Sequence, residues 1–267
     1  MRPVVFAHRG GLALAPENTI AAFDNGLACG ADGLEFDVHL SKDGVPVVMH
    51  DPTVDRTTNG TGALADLTAA ELAALDAGYR FERHGTFPFR GLGHGVPALA
   101  DLLDRYRAVP LIVELKTSEP RLAHAVVDLI RRAGAVDRVA IGSFHDGALD
   151  AVRAYAPEIR TGADVDEIKG GVSAALFDNG RSPLQFHSFQ VPEIFAGSRI
   201  VSPEFIARAH EAGAGVIVWT INEPDDIRRL LDWGVDGLIT DRPDVAAPTV
   251  REWWADRVAE QGPGPLF

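Results

Sequence analysis

Two acidic residues, Glu35 and Asp37, sit two positions apart in the stretch LEFDVHLSKDGVPVVMHD (34–51), which ends in His50 and Asp51. Carboxylates and imidazoles within a hydrophobic strand pattern are costly to bury unless a partner, a metal or a reaction holds them there. Residues two apart on a strand share a face, so Glu35 and Asp37 point one way while Phe36 and Val38 point towards outer helices. The run LIVELK (111–116) repeats the device with Glu114 and Lys116. Three carboxylates meeting in one pocket cannot all stay ionised without a compensating cation, because each raises the pKa of the others. Oxygen donors with no cysteine among them favour a hard divalent ion, Mg²⁺ or Ca²⁺, over zinc. The plain alternative is two ordinary ion pairs, Glu35 with Arg9 and Glu114 with Lys116, which leaves two same-face acids on one strand unexplained.

His8 closes an apolar run in AHRGG, where glycine would let the backbone approach a ligand, and His50 closes VPVVMH. Two imidazoles across a metal-bound phosphate can act as general acid and general base near neutral pH. Arg9 adds a planar fork suited to phosphate oxygens, and Lys116 adds a point charge. Trp219, in VIVWTI (216–221), is read as an apolar wall of the pocket. His39 shares parity with Asp37 and is read as its support, and Asp241 as the residue that fixes the last strand-to-helix turn.

Such residues need a scaffold that gathers strand ends. Eight short apolar runs begin near residues 4, 33, 111, 139, 159, 184, 216 and 237, and most are followed by helical spacing, which is the pattern of parallel βαβ units. Helices are predicted over 19–29, 99–107, 121–133, 147–155, 203–212, 224–233 and 245–260, with Gly134, Gly213 and Gly234 as stops and Asn18 or Thr19 as the first cap. Eight strands close a (β/α)8 TIM barrel, and enzymes on that fold place their sites at the C-terminal strand ends. The interval from Val38 to Pro110 exceeds the roughly 30 residues of an average repeat, so an insertion is expected over about 45–98 in a single barrel spanning 1–267. Its basic loop, with Arg80, Arg83, His84 and Arg90, is read as solvated, and the tail after Gln261 as loose.

A net charge of −13 disfavours nucleic acid and anionic membranes as partners. No run approaches the ~18 apolar residues that span a bilayer, and the expected location is the cytoplasm. The single cysteine, Cys29, is expected to be an inert buried helix residue. Trp253 and Trp254 cannot both face the barrel, so a homo-oligomer contact through the outer one is an open expectation.

Taken in order, AHRGG, PENT (16–19), GADGLEFDVHLSKDGVPVVMHD, RTTNGTG (56–62), ELK, VWTIN and GVDGLITDRPD resemble the glycerophosphodiester phosphodiesterases over nearly the whole chain. The resemblance implies a TIM barrel with a small inserted subdomain, and hydrolysis of small glycerophosphodiesters to an alcohol and glycerol 3-phosphate. It implies Glu35, Asp37 and Glu114 as metal ligands, His8 and His50 as the acid/base pair, and Arg9 and Lys116 on the phosphate. Glu17 and Asn18 would stand at the mouth beside His8, although helix capping explains Asn18 equally well. The family often has Pro-Thr-Leu-Glu where this chain has Pro97-Ala98-Leu99-Ala100. Two other readings stand beside this one: a relative that cleaves phospholipid headgroups, which would need an exposed apolar rim, and a silent barrel that only binds a phosphorylated ligand.

Overall fold

Short β-branched and leucine-rich strands, each followed by a helix with one apolar face, wind here into a parallel barrel. The computed structural model describes residues 2–173 and 184–261. Its barrel strands are β1 (Val4–His8), β2 (Gly33–Leu40), β4 (Leu111–Leu115), β5 (Val139–Gly142), β6 (Arg160–Thr161), β7 (Ser188–Pro192), β10 (Gly215–Trp219) and β11 (Gly237–Thr240). They pair in the order β6-β5-β4-β2-β1-β11-β10-β7, and a parallel bridge between Gly162 and Ser188 joins the two ends into a (β/α)8 barrel. A short β3 (Pro46–Val48) runs antiparallel to β2, and β8 (Ile194–Phe195) with β9 (Ser198–Arg199) forms a small hairpin after β7.

Strand alternation divides the apolar residues into two layers. Leu34, Phe36 and Val38 face outward into the main core, where Phe23 of α1 (Ile20–Ala28) meets Phe36 edge to face with ring centroids 5.5 Å apart. Phe6, Ile112 and Ile239 fill the barrel interior beneath the mouth. Gly134, Gly213 and Gly234 follow three helices at left-handed φ, as the predicted stops require.

Several local expectations are corrected. The cap of α1 is Thr19, whose hydroxyl accepts from the Ala22 N–H; Asn18 stands outside the helix with a φ of 59°. Gly10 does not lie open to a ligand: a Cβ there would come within 2.7 Å of Ala22, so its role is close packing of the β1 turn on α1. The run expected from 159 forms only the two-residue β6, and Val165–Val172, for which no helix was predicted, is a helix opened by a reciprocal Asp164–Glu167 cap. The strand expected from Leu184 is β7, which starts at Ser188, because the ladder with β10 begins at the Ser188–Gly215 pair. Cys29 is the half-buried C-cap of α1, its thiol pKa pushed up by burial and by Asp244. The tail expectation falls on 262–267, outside the described residues.

Between β2 and α3 (Leu99–Arg105) the chain builds a cluster of its own from Val47, Met49, Val54, Leu64 and Leu72. In its basic loop Arg90 stacks on Phe87 and Tyr79, with its guanidinium carbon 3.7 and 4.2 Å from the ring centroids, which turns that charge towards the loop itself. The Ala98 departure from the family pattern falls on the N-cap of α3, where the backbone is extended (φ −79°, ψ 149°) and no side chain accepts from the first turn. Ala98→Thr supplies that acceptor, and we expect it to add about 1 kcal/mol of stability. That gain would raise the melting midpoint by about 2–4 °C in thermal unfolding.

Candidate active site

Strand register alone brings the predicted acids together. His8 on β1 is level with Glu35 on β2, and Asp37 on β2 is level with Glu114 on β4. One oxygen from each of Glu35, Asp37 and Glu114 lies within 4.8 Å of the other two. Glu35 and Asp37 are 4 % and 1 % exposed, so neither can be regarded as a solvated surface charge. Burial, then the neighbouring Asp37 charge, pushes the Glu35 pKa up to about 8. Burial also works against the Asp37 carboxylate, but Lys116, Arg9 and the Asn18 amide outweigh it and hold its pKa below the usual range.

The cationic partners are those expected: Lys116 pairs with Glu114 as read from the sequence, and only the guanidinium of Arg9 goes elsewhere. Lys116 Nζ lies 2.8 Å from Glu114 and 3.2 Å from Asp37. Arg9 meets Glu35 through its backbone N–H, and its guanidinium reaches Asp37 at 3.3 Å and Glu17 at 2.9 Å. Lys116 and Arg9 face two buried acids and the half-buried Glu114, and Arg9 is shared with Glu17, so the cluster is short of positive charge. A divalent cation fits this donor set: the atoms are all carboxylate oxygens, closely spaced, and collectively short of positive charge.

Both predicted histidines reach the same cavity of about 380 Å³ at the C-terminal end of the barrel, along with Arg9, Lys116 and Trp219. Each is held by a carboxylate at Nδ1: His8 lies 2.6 Å from Asp241, and His50 lies 2.7 Å from Asp51. A carboxylate at Nδ1 makes that nitrogen the donor and leaves Nε2 to exchange protons. Burial would lower the His8 pKa, yet the Asp241 hydrogen bond and the Glu35 charge raise it overall. Trp219 and Phe144 meet edge to face at 5.6 Å and wall the cavity on its apolar side.

Some functional residues were missed or misread. Asp241 turns its carboxylate to His8 and to the Asn222 amide; the turn is served instead by Asn222 Oδ1 and Thr240. Asn18 donates to Asp37 at 2.9 Å, and His39 reaches the backbone carbonyl of His50 at 3.0 Å. Arg56 received no role from the sequence, although RTTNGTG contains it; it bridges Asp51 and Glu17 with four hydrogen bonds of 2.6–3.0 Å. The chain His50–Asp51–Arg56–Glu17–Arg9 therefore ties one imidazole to the guanidinium of the mouth. Arg56 is half exposed, so its loss should spare the fold. In Arg56→Ala we expect kcat to fall about tenfold while KM moves less than about twofold, as when an orienting partner is removed. Steady-state kinetics check this; an unchanged kcat would mean that Arg56 only decorates the rim.

The sequence profile of the glycerophosphoryl diester phosphodiesterase family matches residues 8–245. A glycerophosphodiester phosphodiesterase of Caldanaerobacter subterraneus is 32% identical over 257 residues, covering 94% of this chain and 99% of that one. The crystal structure of a putative glycerophosphoryl diester phosphodiesterase from Silicibacter pomeroyi superposes with a TM-score of 0.78 at 31% identity, covering 94% and 95% of the two chains. An Oleispira antarctica phosphodiesterase, solved with its product sn-glycerol-3-phosphate, has a TM-score of 0.77 at 26% identity and covers 93% of this chain and 97% of its own.

Proposed function

This chain belongs to the glycerophosphoryl diester phosphodiesterase family and is a glycerophosphodiester phosphodiesterase; from that premise we propose that it works with a divalent cation held by Glu35, Asp37 and Glu114. His8 and His50 serve as its two proton-transfer groups. The observation that carries this reading is the three-carboxylate cluster, two of its acids buried, placed between two carboxylate-oriented imidazoles. Mg²⁺ and Ca²⁺ both suit all-oxygen donors, and either, when bound, would polarise the phosphoryl oxygens.

The chain's own groups divide the remaining work. Arg9 and Lys116 draw the phosphodiester into the mouth, which meets the need of an acidic protein for a local cationic pocket. The Nε2 of one histidine takes the proton of the attacking hydroxyl or water, and the Nε2 of the other gives a proton to the departing alcohol. Asp241 and Asp51 keep both rings in the orientation and tautomer this exchange needs. Trp219 presents its apolar face to the glycerol carbons. We read residues 1–267 as one barrel domain and 45–98 as an insertion that delivers His50 and Arg56.

No helix among the described residues is long and apolar enough to cross a membrane. The test is release of sn-glycerol 3-phosphate from glycerophosphocholine and glycerophosphoethanolamine, with EDTA, Mg²⁺ or Ca²⁺ added. Release restored by either ion is expected. Undiminished release in EDTA would sink the metal assignment, and no release from any glycerophosphodiester would leave the phospholipid-cleaving and silent-barrel readings.

A further inference from the structure

Gln190 stands on β7, a strand that the pairing order sets four places from β2 and so across the barrel from Glu35 and Asp37. Strand parity fixes its direction: Phe189 and Val191 are fully buried in the outer core, and Gln190, level with Ile217 of β10, turns inward to the reaction cavity. Two glycines keep room for its carboxamide. A Cβ on Gly142, at the end of β5, would stand 2.7 Å from Gln190 Oε1, and one on Gly162, just beyond β6, would stand 3.2 Å from Gln190 Cδ. Neither glycine has a left-handed φ, so turn geometry does not account for them. Among the described residues the Gln190 amide Nε2 is buried without a hydrogen-bond partner. Arg9 Nε and Asn18 Oδ1 share that condition, but both belong to side chains that already face Asp37, whereas Gln190 lies on the far wall beside Trp219 of the neighbouring β10. A buried amide left unpaired is costly, and a ligand oxygen that meets it removes the cost.

Resting on the hydrolase reading above, with Arg9 and Lys116 on the phosphate and Trp219 against the glycerol carbons, we infer that Gln190 is a specificity-determining residue for the glycerol end of the substrate. The phosphate sits at the charged wall, the glycerol spans the cavity, and its terminal oxygen, the one farthest from phosphorus, meets the Gln190 carboxamide. The amide N–H donates to that oxygen. The choice of glycerol over a plain alkyl diol is then made by one side chain on the wall opposite the acids, and Gly142 and Gly162 are the space that side chain requires.

The experiment compares kcat/KM, with Mg²⁺ or Ca²⁺ present, for glycerophosphocholine and for the analogue whose terminal CH2OH is a methyl group. The analogue keeps the middle hydroxyl, the phosphodiester and the choline, so neither the attacking group nor the leaving alcohol changes. A site built to hydrogen-bond a substrate hydroxyl rejects the molecule that lacks it, and the unaltered protein should prefer glycerophosphocholine by about a hundredfold or more. Gln190→Met, of similar length and without the donor, should cut that preference to less than about fivefold, by losing turnover of glycerophosphocholine while the analogue holds within about threefold. Gly142→Ala leaves Gln190 in place but sets a methyl group on its amide, and it should shrink the preference in the same direction. Equal kcat/KM for the two substrates in the unaltered protein would overturn the inference. So would an undiminished preference in Gln190→Met, or losses of equal size on both substrates in the two variants, the mark of residues that only fill the barrel. Failure of the unaltered protein on both substrates would instead strike at the hydrolase reading.

Discussion

Glu35→Gln should lower sn-glycerol 3-phosphate release by about a thousandfold or more and abolish the rise in melting midpoint expected of the unaltered protein with Mg²⁺ or Ca²⁺. The substitution keeps the shape and an oxygen that can accept the Arg9 N–H, so the loss isolates the charge. It also makes a prediction of opposite sign for stability. In the ion-free protein the Glu35 pKa stands near 8, against an ordinary value of 4.5. Between those values the folded state binds the proton that the unfolded state has already released. Stability of the ion-free protein therefore falls as pH rises through that window. Glu35→Gln removes this slope, so in EDTA at neutral pH the variant should melt no lower than the unaltered chain. Equilibrium unfolding in EDTA at several pH values reads the slope directly. A variant that is inactive because it is unfolded would fail this test, and full activity would remove Glu35 from the mechanism.

His8→Ala should cost about 10³-fold in kcat, within the span of general acid–base catalysis, and leave divalent-ion binding intact. His8 is 2.6 Å from Asp241 and 3.9 Å from Glu35, which places it against the carboxylate cluster without making it one of the three acids. The two readouts therefore separate: ion titration followed by melting midpoint should be unchanged, while turnover collapses. Removing the imidazole leaves the Asp241 carboxylate without its ring partner, and Asn222 still donates to it at 3.0 Å, so the mouth should hold its shape. Turnover within about tenfold of normal would assign the proton transfers elsewhere.

The acids were legible because strand geometry is a rigid code. Period-two parity put Glu35 and Asp37 on one face, and parallel pairing then had to bring Glu114 level with Asp37. The fold was legible for the same reason, since apolar strands alternating with amphipathic helices admit few closures. Helices and loops obey looser codes. Arg56 sits in a turn-rich segment, and only the folding back of that segment brings it to Glu17, 39 residues away. Asp241 looked like a turn residue because Asp commonly is one, and its partner His8 stands 233 residues earlier. The helix at Val165–Val172 did leave a trace, the Asp164…Glu167 capping pattern, but a run of mixed residues and two glycines obscured it. Asn18 was ambiguous between capping and site support until Thr19 took the cap and the Asn18 amide went to Asp37.

The separate cluster of Val47, Met49, Val54, Leu64 and Leu72 gives the enzyme two packed units of unequal size. Glu35, Asp37 and Glu114 stand on central strands backed by the main core, whereas His50, Asp51 and Arg56 depend on the smaller cluster. A partial opening of that smaller unit would withdraw one imidazole and its guanidinium brace while the barrel kept its three acids. Catalysis is then expected to be more fragile than the fold that hosts it, and mild denaturant should silence product release before the barrel unravels.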